Sequence, residues 1–166
     1  MQRFVATVLV LLLAAAAFPQ ASEQPKQGDN LYADALITSI TEMQKQWGYI
    51  DDSYQGIRTD FNHMIAMKNP EITNDLPSQF GDHRVEYMDK RALIEKHRTL
   101  RKDFSVLEVH PLRNEGTRLR IQVSLSWIEY KKNRLQVGIS AWSDVEFQYD
   151  CDNQRYVISS VKLGGI

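Results

Sequence analysis

Asp60 and His63 stand three residues apart in the run Asp60-Phe61-Asn62-His63. On a helix that spacing brings a carboxylate beside an imidazole, which the acid could orient as a general base. Tyr54, Tyr87 and His97 are further groups that could move or hold a proton if a dry, apolar pocket shifted their pKa values. Phe61, Trp127 and Ser143 complete the set expected to line such a pocket. Phe61 stands on an apolar helix face, Trp127 ends a long inward-facing row, and Ser143 is a polar gap in an otherwise apolar strand face. Each has a plainer reading. Asp60 and His63 could be a surface ion pair, because Phe61, Met64 and Ile65 take the apolar side. His97, between Leu93 and Leu100, could be a boundary histidine, and a bend that shifts the register would explain Ser143. No metal site is expected: His63, His83, His97 and His110 fall in no pair of ligand spacing, and Cys151 is the only thiol. With no glycine-rich phosphate loop and no nucleophile elbow, no cofactor is expected either.

The elements that must position these residues follow from periodicity. Asp29 or Asn30 can cap a first helix whose Leu36, Ile40, Met43 and Trp47 recur at four, three and four. Asp51 or Asp52 can cap a second, with Tyr54, Ile57, Phe61 and Met64/Ile65 on one face, ended by Asn69-Pro70. HRVEYM reads as a short strand, and Asp89 caps a third helix carrying Leu93, His97 and Leu100. Beyond Phe104 the period becomes two. FSVLEVHPL stops at Pro111, RNEGT turns, RLRIQVSLSWIEY and RLQVGISAWSDVEFQY alternate, and RYVISSVKL closes the chain. The two central strands would span about 40 to 50 Å at roughly 3.3 Å per residue, too long to stay flat in a small domain. A bulge or kink is therefore expected among Gly138, Ser140, Ala141 and Ser143. Arg118, Arg120, Gln122, Ser124 and Ser126 form a polar outward row. Trp142, on the opposite parity from Val137 and Ile139, is expected to be partly exposed or covered by a second subunit.

Composition bounds the function. The 166 residues carry 20 basic and 21 acidic side chains, a balance that offers no electrostatic case for nucleic acid or an anionic bilayer. Arg3 followed by the uncharged FVATVLVLLLAAAAF is too short to span a membrane and reads as a signal peptide over residues 1–21. A polar linker over 22–29 and one domain over 30–166 follow. Cys151 has no partner for an intrachain disulfide, and the protein is expected to be periplasmic or secreted.

The order of elements, the long bent hairpin, the segment VEYMDKRALIEKHRTLRKDF and the closing Arg155-Tyr156-Val157-Ile158-Ser159-Ser160-Val161 resemble the NTF2-like (SnoaL-like) superfamily. The resemblance covers residues 30–163. It implies an α+β cone, three helices packed on a strongly bent antiparallel sheet of four or more strands, with a pocket inside and often a dimer through the outer sheet face. It implies no single function. Two readings follow. The first is a module that binds a small apolar ligand in the pocket or docks a protein on its sheet, a second copy through the outer face included. The alternative is a cofactor-independent isomerase or lyase using Asp60 and His63. The first is favoured, because the inward strand positions carry no Asp or His.

Overall fold

Asn30 opens α1 (Leu31–Trp47), its side-chain oxygen accepting from the backbone N–H groups of Tyr32 and Ala33, each at 3.1 Å. That satisfies two donors the helix itself cannot pair. Leu36, Ile40 and Met43 are fully buried, and Trp47 is partly buried against the same core. The computed structural model describes residues 30–47, 51–52, 57–131 and 134–165. The signal segment Met1–Ala21, the linker 22–29 and Tyr54 lie outside the described residues.

The expected arrangement of three helices on a four-stranded meander is overturned. Among the described residues there are two helices, α1 and α2 (Lys90–Leu100), and a mixed sheet of 8 strands. The correction falls on the segment read as the second helix. Its residues enter a ribbon of β1 (Asp51–Asp52) with β2 (Ile57–Arg58), then a turn at Asp60, then β3 (His63–Met67). Met64 and Ala66 are buried towards α1, while Ile65 and Met67 pack on the opposite side beneath α2. Both faces of β3 are covered, so its apolar run is continuous rather than alternating, and a short continuous run is compatible with helix or strand. Neighbours decide it: β3 lies parallel to both β5 (His83–Met88) and β6 (Phe104–Val109).

The strand order is β10-β9-β8-β6-β3-β5-β4, with β7 (Arg113–Glu115) also pairing β8. Here β4 is Gln79–Phe80, β8 Arg118–Lys131, β9 Arg134–Asp150 and β10 Arg155–Gly165. α1 covers one face, the inner face, with Leu107, Ile121, Val123, Leu125, Val145 and Phe147 beneath it. α2 covers a corner of the other, outer face, where Leu93 meets Phe104, Val106 and Ile128. Asp89 caps α2 as its sequence foretells, accepting from Ala92 N–H at 2.8 Å.

The bulge falls in the expected stretch. Leu125 pairs Ala141 but Ser126 pairs Ile139, so Ser140 is the extra residue, its hydroxyl donating to the Leu125 carbonyl at 3.0 Å. The inserted residue reverses parity along β9. Ala141, Ser143, Val145 and Phe147 face inward, whereas Val137 and Ile139 face outward. Trp142 opposes Ser124 on the outer side, so the expectation that it lies across the sheet from Val137 and Ile139 is corrected: all three share one face.

Candidate functional site

The inner face is filled. Leu36, Ile40, Met43, Ile121, Val123, Leu125 and Phe147 have no solvent exposure. Ser143, also fully buried, accepts a 3.1 Å hydrogen bond from Ser39 of α1, so the polar gap in the strand is matched by a polar residue in the helix stripe. Phe61 belongs to this core, and its carbonyl lies 3.0 Å from His83 Nδ1. Tyr87 is half-buried at its margin, with its hydroxyl donating to the Pro77 carbonyl at 2.9 Å. Burial pushes the phenol up well above its usual value, so at neutral pH it stays a proton-bearing donor that anchors a loop.

The remaining sequence candidates are dispersed. Asp60 and His63 are both exposed; Asp60 Oδ1 accepts from Asn62 N–H at 3.0 Å, and His63 N–H donates to the Asp60 carbonyl at 3.1 Å. Asp60 therefore shapes a turn through its side chain. His97 is on the outer face in α2, its Nε2 2.9 Å from Asp103 Oδ1 and its ring tilted over Phe104 at 6.4 Å. Trp127 faces inward but past the main core, where its indole lies across Gly138, its cross-strand partner. A Cβ at Gly138 would overlap the ring, so glycine is required there by close approach. Phe61, Tyr87 and Ser143 thus belong to the inner side, Trp127 to its far end, and His97, Asp60 and His63 to separate places. Among the described residues no group of three or more His, Cys, Asp or Glu could hold a metal ion, and no helix is long and apolar enough to cross a membrane.

The outer face of β8, β9 and β10 carries chemistry that single-strand reading missed, because it arises only when strands are set side by side. The polar row of β8 meets acids from β9. Arg118 pairs with Glu146 at 3.2 Å, and Arg120 reaches Glu115 at 2.5 Å and Asp144 at 3.7 Å. Lys162 of β10 pairs with Glu146 at 2.8 Å. The hydrogen bond from Lys162, helped by the charges of Lys162 and Arg118, holds the Glu146 carboxyl below its ordinary range. Three cations against three acids leave the patch neutral, so it is no docking site for a strongly charged polymer. Ser124 and Ser126, expected outward, are outward yet buried; Ser124 Oγ lies 2.9 Å from His110 Nε2, and Ser126 Oγ is buried without a hydrogen bond. With 1% of its surface exposed, Ser124 cannot serve as a nucleophile despite its histidine neighbour.

Beside this polar field stands an apolar one. Val137 and Ile139 are 47% and 56% exposed. They oppose Ile128 and Ser126, and with half-buried Trp142 they make an outward row along β9. Trp142 in turn lies across Gly164 of β10. An open groove of about 350 Å³ lies at the other end of the sheet between Asn114, Thr117, Leu119, Tyr149 and Tyr156. Its two tyrosines meet edge to face at 5.3 Å. No family model matches the chain, and no curated protein or solved structure matches it.

Proposed function

We propose that the protein is an exported interaction module that docks a partner on the outer face of its sheet. The observation that carries this reading is the exposed row Val137 and Ile139 beside Trp142, on a strand whose opposite side closes a filled core. Scattered single apolar residues need no explanation, whereas two β-branched residues and an indole in register on one strand form a patch. Covering what remains exposed of Val137 and Ile139 stabilises a complex by roughly 1 kcal/mol or more each, from a full-burial value of about 1.5 to 3 kcal/mol. The charged neighbours form a polar rim of the kind that sets orientation and on-rate. Export rests on the segment Met1–Ala21, whose basic start and short apolar run have the character of a signal peptide.

Acid–base catalysis is the weaker reading. Asp60 and His63 are exposed, and the Asp60 carboxylate accepts from Asn62 N–H to shape a turn. A ligand enclosed between α1 and the sheet is also weaker, because that space is occupied by side chains.

The test is the accessibility of one position. Ile139→Cys, made with Cys151→Ser, is labelled with a maleimide in dilute purified protein and again in a native cell extract. Slower labelling in the extract, with a control cysteine at exposed Asn153 unchanged, supports docking at this face. Equal rates in both would overturn it.

A further inference from the structure

The near-neutral sum of the whole chain conceals a segregation of charge. Residues 89–103, which hold α2, carry six of the 20 basic side chains and three of the 21 acidic ones. The three acids are engaged within the fold. Asp89 caps the helix, Asp103 lies 2.9 Å from His97 Nε2, and Glu95 pairs with Arg98 at 3.9 Å. Lys96 is taken by Glu86 of β5 at 3.0 Å. Lys90, Arg91, Arg101 and Lys102 are exposed and make no ion pair among the described residues, which run without a break from 57 to 131. Helix stability does not account for Lys90 and Arg91. They stand in the first turn, where the dipole repels cations and no acid offsets them. Arg84, also exposed, adds to the same side: Glu86, two residues on along β5, meets α2, and the pleat sets both on that face. Two apolar side chains stand among these cations. Ile94 is half-buried and borders an open hollow of about 410 Å³ with Lys90, Arg91, Glu95 and Arg98, and Leu100 is 43% exposed beside Arg101.

We propose that α2 rests on a lipid bilayer carrying anionic headgroups, adsorbed through this basic ridge. The proposal goes beyond docking of a partner at Val137 and Ile139 and does not depend on it. Charge complementarity calls for an anionic occupant, and the form of the ridge selects a bilayer. The cations are spread along a helix of 11 residues, about 16 Å at roughly 1.5 Å per residue. They do not converge on one point, as a site for a single phosphate or carboxylate would require. Ile94 and Leu100 gain nothing against the sugar-phosphate surface of a nucleic acid. At the boundary where headgroups meet acyl chains they are favoured, and the aliphatic stems of Lys and Arg lie along the same boundary with their charged ends at the phosphates. Each basic side chain brought to an anionic surface strengthens binding roughly fivefold. The contact is peripheral, without a spanning segment, and weakens as salt screens it.

The experiment uses the exported protein, purified without detergent, and sedimentation with sucrose-loaded vesicles. One set is about a quarter phosphatidylglycerol in phosphatidylcholine, the other phosphatidylcholine alone. The protein should pellet with the anionic set at low salt, be released as salt rises, and stay in solution with the neutral set. Lys90→Gln with Arg91→Gln should weaken binding about 25-fold, two charges at roughly fivefold each. The melting temperature should stay the same or rise, because two cations leave the positive end of the helix. Glu95→Lys, at a side chain 72% exposed, should bind more tightly than wild type, a gain that a merely structural role for these residues would not produce. Equal pelleting with both sets, none with either, or anionic binding that neither variant changes would overturn the proposal. Retention on heparin at the salt where the anionic vesicles bind nothing would overturn the bilayer in favour of a soluble polyanion. Each of these failures leaves the labelling of Ile139→Cys, and the docking it reports, untouched.

Discussion

Ser39 and Ser143 face each other 104 residues apart in sequence, both without solvent exposure, joined by one 3.1 Å hydrogen bond. Replacing either by alanine deletes that bond and leaves the other hydroxyl buried and unpaired, a loss of about 1 to 3 kcal/mol. The void left by one oxygen is too small to admit water and adds only a few tenths. The two substitutions should not be equal. After Ser143→Ala, Ser39 can turn within α1 and donate to the carbonyl four residues back. After Ser39→Ala, Ser143 sits in a strand with no such local acceptor, so Ser39→Ala should be the costlier. The double variant removes both polar groups and should cost less than the sum, with a coupling of roughly 1 to 2 kcal/mol. Urea titrations followed by far-ultraviolet circular dichroism read this directly, since a slope of about 1 to 3 kcal/mol per molar makes each single change a shift of about a third of a molar or more. Additive singles, each below roughly 0.5 kcal/mol, would refute the reasoning. They would mean that solvent or a ligand satisfies the remaining hydroxyl, and that the inner face holds a chamber after all.

Trp127 and Gly138 should show reversal of sign: Gly138→Ala destabilises the wild-type chain by driving the indole from its seat, but in a Trp127→Ala background it should be neutral or stabilising by up to about 1 kcal/mol, glycine being the poorer strand residue, as thermal melts of the four proteins would show. Glu146 has a folded pKa below the ordinary 4.5, so it contributes stability above that pH which is lost as pH falls through the depressed value; the urea midpoints of wild type and Glu146→Gln should differ at pH 6 and converge in strong acid. Asp89→Ala should cost about 1 kcal/mol through loss of the α2 cap, visible as a lowered melting temperature. Asp60→Asn and His63→Ala should each leave the maleimide labelling of Ile139→Cys unchanged, which a joint role of these residues with the outer face would not allow.

The C-terminal hairpins were legible because alternation over many residues has only one interpretation. RLRIQVSLSWIEY pairs as its pattern demands, with Ile121, Val123 and Leu125 all buried. Both ends of the helical inventory were legible through their caps, Asn30 and Asp89. The segment 57–67 was not, since MIAM is apolar on both sides only because β5, β6 and α2 arrive from elsewhere in the chain. The outer face was half legible: the polar row of β8 could be read, but not its apolar neighbours in β9, because Ser140 turns Val137 and Ile139 from the inward parity to the outer side that Trp142 occupies. A one-residue bulge leaves no mark in composition. Among the candidate residues, Ser143 was recognised as unusual, yet its cause, Ser39, lay on a helix whose apolar stripe drew attention to Leu36 and Ile40.

The position of α1 has a consequence for how the chain reaches this structure. Among the described residues the helix's main strand partners are β8, β9 and β10, and its Tyr32 hydroxyl accepts from the N–H of Leu112, 80 residues on. Synthesis delivers α1 early and its docking surface late. During that interval the stripe Leu36, Ile40, Met43 lacks the strands β8, β9 and β10 that bury most of it, and a helix of 17 residues draws most of its stability from such packing. Closure of so long a loop is slow, and until it happens the nascent chain exposes the apolar surface on which holding chaperones act. The timing of folding is thus set by the arrival of the last hairpin rather than by the first helix.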